Sequence, residues 1–148
     1  MSCYRIPPHA VPAGETVEAV DHLHLDPVPR IVGESRRFVD SHVPADEQDQ
    51  RDVLLLLTSE LVTNAVIHAR TTIELGVTVT DGSLLVTVHD EDLGRSELPD
   101  VSREGGWGLG MVHVLADAHS MERHPGDGKT AWFRLTRSRP TTTGKGAG

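Results

Sequence analysis

Between about residue 22 and residue 136 the hydrophobic period of the chain changes repeatedly, and each change marks an element. His22-Leu23-His24-Leu25 alternates polar and apolar, the pattern of a short half-buried strand. Pro27 and Pro29 lead into Ile31, Val32, Ser35 and Phe38-Val39 at helical spacing, which predicts a helix through about Ser41. A second helix is expected from Asp46 to about Ala69, with Asp46, Glu47 and Asp49 in its first turns, where the helix dipole favours acid. Ile73–Thr80 and Leu84–Asp90 are β-rich runs joined by Asp81-Gly82-Ser83, a hairpin signal. Residues 91–107 are polar and punctuated by glycine, as a long loop is, and Leu109–Ala118 reads as a helix opened by glycines. Ser120–His124 and Thr130–Thr136 flank Pro125-Gly126-Asp127-Gly128, a second hairpin turn. The order β-α-α-β-β-loop-α-β-β predicts an α+β fold: a two-layer α/β sandwich with a mixed, mostly antiparallel sheet and its helices on one face. Residues 1–20, with Pro7, Pro8, Pro12 and Gly14, read as an irregular arm before a domain over 21–137. Residues 138–148 read as a disordered tail.

The second predicted helix raises a chemical question. It carries four consecutive leucines, Leu54–Leu57, and apolar residues around its whole circumference, so it is expected to be buried on both sides. Glu60 and Asn64 nevertheless sit one turn apart in its middle. An ionised glutamate left unpaired there is costly. Either the two side chains satisfy each other and the backbone, or they face a site. In a site, the Asn64 amide oxygen is a hard ligand suited to Mg²⁺ and the Glu60 carboxylate a base.

Composition narrows the partners. The chain has 14 basic and 22 acidic side chains and a formal net charge of −8. That balance, without a Lys/Arg cluster, argues against direct binding to nucleic acid or to an anionic membrane surface. Cys3 is the only cysteine, so neither a disulfide framework nor a cysteine zinc site is expected. With no signal-peptide pattern and no long apolar run, a cytoplasmic protein is expected.

Three further stretches carry candidate chemistry. Asp90 ends a strand at the mouth of the long loop, where a carboxylate can accept a hydrogen bond from an exocyclic amine such as adenine N6. Gly105-Gly106-Trp107-Gly108-Leu109-Gly110 precedes a helix, and glycines there let backbone N–H groups approach an anion. Gly128-Lys129-Thr130 invites comparison with a P-loop, but the required upstream glycine falls at Arg123 and a strand follows instead of a helix. Among nine histidines, His22 and His24 share a strand face without a third ligand at a recognised spacing, so no transition-metal site is expected. His113 and His119 read as helix-surface residues.

In order, ELVTNAVIH, VHDEDLGRSELP, GGWGLGMV and GKTAWF resemble the N, G1, G2 and G3 boxes of the histidine-kinase-like (GHKL) ATPase superfamily. The series is most similar to the anti-sigma-factor serine-kinase branch, over about Leu23 to Leu135. The resemblance implies ATP and Mg²⁺ as cofactors, with Asn64 as metal ligand and Glu60 as general base. It implies that Asp90 reads adenine and that Gly106, Gly108, Leu109 and Gly110 form the ATP lid and the start of its following helix, with Thr130 near the adenine. Arg95 and Arg103, in the lid, are placed to reach phosphates. His68 also fits the first box and is expected to be structural. The sequence departs from the family at Asp90-Glu91-Asp92, where a glycine commonly stands at the third position and here follows only at Gly94. The implied function is a serine protein kinase that binds a sigma factor and phosphorylates an anti-anti-sigma antagonist, with a homodimer among the expectations. The alternative is a partner-binding module that transfers no phosphate. A sensor histidine kinase would need a phosphoacceptor histidine on an upstream helical hairpin, for which residues 1–20 leave no room.

Overall fold

The computed structural model describes residues 6, 7, 9–68, 71–91 and 107–138. Among these residues five strands and three α-helices follow in the order β1 (Val17–Leu25), α1 (Ile31–Asp40), α2 (Gln48–His68), β2 (Ile73–Thr80), β3 (Ser83–Asp90), α3 (Trp107–Leu115), β4 (Ala118–Arg123) and β5 (Lys129–Thr136), with a short 3-10 turn at Ala45–Glu47 before α2. The sheet order is β1-β2-β3-β5-β4, and each neighbouring pair is antiparallel. The fold is therefore α+β as expected, with every strand pair antiparallel where a mixed, mostly antiparallel sheet was expected. No helix among the described residues is long and apolar enough to cross a membrane.

Strand alternation divides the sheet into two unlike faces. Ile73, Leu75 and Val79 of β2, Leu84, Val86 and Val88 of β3, and Phe133 and Leu135 of β5 pack with Leu54, Leu57, Leu61, Val62 and Ala65 of α2. Ile31 and Val39 bring α1 into the same core, and Val112 brings α3. The α2 helix faces β3 and β5 and is flanked by α1 and α3. On the opposite face a smaller cluster joins Leu85 and Trp132 to Ala10, with Ile6 and Val11 against it. Arg134 fixes this cover by donating to the Ala10 carbonyl at 2.8 Å. The N-terminal segment expected to be an irregular arm therefore lies over the sheet at Ile6, Ala10 and Val11 and enters β1 at Val17. The apolar residues at Pro7, Ala10 and Val11 have no period that announces this.

Two turns show how local chemistry sets the register. Neither Asp81 nor Gly82 has positive φ. The Thr80 hydroxyl instead accepts from the N–H groups of Gly82, at 3.1 Å, and Ser83, at 2.8 Å, closing the β2–β3 hairpin through a side chain. The β4–β5 turn does use glycine, with φ of 75° at Gly126 and 78° at Gly128. Helix α3 ends at Leu115, earlier than expected, and His119 belongs to β4 and not to a helix.

At the end of β5 the Arg137 guanidinium is buried against Glu47, the carbonyl of Thr80, Asp46 and Glu18, at 2.9–3.1 Å. Ser138, assigned from sequence to the tail, donates its N–H to Glu47 at 2.9 Å.

Candidate functional site

Helix α2 is not buried all round. Leu54, Leu55, Leu57, Thr58, Leu61, Val62 and Ala65 are buried, whereas Thr63 is exposed and Ile67 is 68% exposed. Glu60 and Asn64 are half-buried at the border between these faces. The sequence pattern missed this because Ile67 is an apolar residue on the open side. Among the described residues no hydrogen bond or ion pair reaches either side chain. Burial alone pushes the Glu60 carboxyl above its ordinary range. A half-buried carboxylate with a raised proton affinity is a better base than an exposed one.

Asp90 closes β3 on the helix-facing side of the sheet, in line with Val88 and Val86. Directly across the ladder lies Lys129, the first residue of β5. Both are buried, and Lys129 Nζ lies 3.1 Å from Asp90 Oδ1 and 3.0 Å from Oδ2. The carboxylate expected to accept from adenine thus already accepts from an ammonium group. Gly128 makes the approach possible, because a Cβ there would stand 1.9 Å from the Asp90 carbonyl oxygen. Lys129 has no role in the sequence reading, because Gly-Lys-Thr fails as a P-loop and the resemblance to the last family box assigns only Thr130. Period-two alternation from Asp90 and its hairpin partner is the signal that finds it.

Thr130 is buried one residue further on and so turns to the other face of the sheet. Its hydroxyl lies 2.8 Å from His89 Nδ1 and 2.9 Å from His124 Nε2. The structure therefore brings Asp90 together with Lys129 and separates both from the Thr130 side chain. Gly110 lies in α3 with open space around its Cα. Gly108 and Leu109 fall in the first turn of that helix. Gly106, Arg95 and Arg103, with Asp92 and Gly94, lie outside the described residues.

The family model of the histidine kinase-like ATPase domain matches residues 26–135, from the turn after β1 to the last turn of β5. The chain belongs to that family. No curated relative matches it. The histidine kinase-like ATPase domain implies ATP as ligand, and the donor set on α2 fits a nucleotide with its cation. Glu60 and Asn64 are polar, side by side and without a protein partner among the described residues. The Asp90 end fits less simply, since an adenine amine has to share the carboxylate with Lys129.

Proposed function

We propose that this histidine kinase-like ATPase domain is a serine protein kinase of the anti-sigma type, which sequesters a sigma factor and phosphorylates its antagonist. The observation that carries the reading is Glu60, a half-buried carboxylate made more basic by burial and set one helical turn from Asn64. In this reading Glu60 takes the proton from the attacking seryl hydroxyl, and the Asn64 amide oxygen is the ligand for Mg²⁺. The cation, when bound, supplies neutralising charge at the phosphates.

The test uses extract of the source cell, Mg²⁺ and ATP labelled at the γ-phosphate. Wild-type protein is expected to label one small acid-stable band, and Glu60→Gln to reduce that labelling by about 100-fold or more. Undiminished transfer by the variant removes Glu60 from its role.

The Asp90–Lys129 ion pair favours a second reading, a partner-binding module with weakened nucleotide binding and no phosphotransfer. If Asp90 does read adenine, Lys129→Thr leaves its carboxylate to the exocyclic amine and tightens ATP binding roughly tenfold. Calorimetry on the two proteins decides this. Equal or weaker binding in the variant means that adenine is held elsewhere.

A further inference from the structure

The face of the sheet turned away from the helices carries a second constellation. His22 and His24 lie two residues apart on β1, so both imidazoles project from that face while Leu23 and Leu25 turn toward the core. Glu74 of β2 is directly opposite His24 in the ladder, and His22 is its diagonal neighbour. The residue opposite His22 is Gly76, and the His22 ring meets that of His24 edge-on, with centroids 5.8 Å apart. Both rings aim Nε2 at the same atom, Glu74 Oε2, at 3.9 Å from His22 and 3.8 Å from His24. These separations are too long for hydrogen bonds. All three ligand atoms lie within 4.8 Å of one another.

We propose that His22, His24 and Glu74 form a binding site for a divalent transition-metal ion of the Zn²⁺ class. Two neutral imidazole nitrogens and one carboxylate oxygen are a donor set that such ions accept, with a fourth position left for water or an incoming ligand. Hard cations such as Mg²⁺ and Ca²⁺ prefer all-oxygen ligands and are poorly matched to it. Tetrahedral ligands at Zn–N and Zn–O distances near 2.0–2.1 Å stand roughly 3.4 Å apart. The two histidine–glutamate separations have to close by about half an ångström and the separation of the two imidazole nitrogens by up to about 1.4 Å, which rotation of the imidazoles provides, as these side chains are 46% and 49% exposed. Glu74 is by contrast a fixed anchor, its side chain 5% exposed on a strand that is paired on both sides. A bound ion ties the edge strand to its neighbour by side chains, in addition to the backbone ladder. Because imidazole must be deprotonated to ligate, affinity falls on acidification. The sequence hid the third ligand, which is some fifty residues away in the chain and arrives only through the register of β1 on β2.

The test uses the full untagged chain, stripped with chelator and titrated with Zn²⁺ by calorimetry and with Co²⁺ by visible absorption. A single saturable site is expected, with the intense visible bands of four-coordinate Co²⁺ and a Zn²⁺-dependent rise in Tm. His22→Gln, His24→Gln and Glu74→Gln are each expected to weaken binding by at least about tenfold and to abolish the rise in Tm. The two histidine variants lie at exposed positions, and an unchanged metal-free Tm shows that they fold. His113→Gln breaks up another close imidazole pair, His113 Nδ1 to His119 Nε2 at 3.2 Å, and is expected to bind metal as the wild type does. Absence of binding, affinity unchanged in His22→Gln and His24→Gln, or loss of binding in His113→Gln overturns the proposal. Either result leaves the kinase reading untouched, since Glu60 and Asn64 lie on the other side of the sheet.

Discussion

Glu60 and Gly128 each make a prediction from a single side chain or its absence. Burial raises the Glu60 pKa above its ordinary 4.5, so the folded protein is penalised when that group ionises. Any penalty is absent below the ordinary value and develops as the pH rises through the raised one. Glu60→Gln is therefore expected to raise Tm at pH 7 by on the order of 1–2 °C, a small effect for a half-exposed group. The difference should vanish in scans below about pH 4. At Gly128 the left-handed backbone and the Asp90 carbonyl act together, and Gly128→Ala is expected to cost about 2–3 kcal/mol in urea unfolding. Gly126 has the same backbone sign but open space around it, so Gly126→Ala is expected to cost only about 1–2 kcal/mol. Comparable losses at both positions would mean that the close approach to Asp90 contributes nothing. At this scale the sequence was partly legible. Asp90 and Glu60 stand out because each is a carboxylate where apolar neighbours dominate. Lys129 does not, since its importance arises only from the residue across the ladder.

Elements were legible wherever burial enforced a period. β2 and β3 were bounded to within a residue, because Ile73, Leu75, Val86 and Val88 alternate against a helix layer. β1 was read four residues long and is nine, since most of it lies at the sheet edge with nothing to impose a pattern on Val17–Val20. Helix α1 is held to α2 partly by a two-pronged contact: Arg51 Nε donates to Asp40 Oδ1 at 2.6 Å and Nη2 to Oδ2 at 2.9 Å. The hydrogen bond from Arg51 holds the Asp40 carboxyl below its ordinary 3.8, aided by the positive charge of that guanidinium and of Arg36. Its stabilisation is present above 3.8 and fades as the pH falls through the lowered value. Asp40→Asn is expected to lower Tm slightly at pH 7, because the pair is more than a third exposed, and to match the wild type near pH 2. A deficit that persists in acid would show that the contact acts through packing and not through charge.

For the whole molecule, the dominant polar contact joins positions that are remote in sequence. Arg137 binds Glu18 of β1, Asp46 and Glu47 before α2, and the Thr80 carbonyl at the β2–β3 hairpin. Arg137→Met is expected to destabilise the domain by about 3 kcal/mol, since it removes the cation from the buried Glu47 carboxylate and leaves Ser138 donating to it. A loss below about 1 kcal/mol in urea unfolding would show that Glu47 finds another partner. From the sequence the domain is expected to end at residue 137, where the hydrophobic alternation of β5 stops. The sequence could not show that Arg137 is buried, as nothing local distinguishes it from Arg139 two residues on. The consequence concerns how the protein is made. Glu18 leaves the ribosome early and meets its cation only after 119 further residues have been synthesised. Until then the nascent chain carries Glu18, Asp46 and Glu47 without the guanidinium that joins them. The domain is thus expected to settle after translation of Arg137, all at once, rather than element by element as the chain emerges.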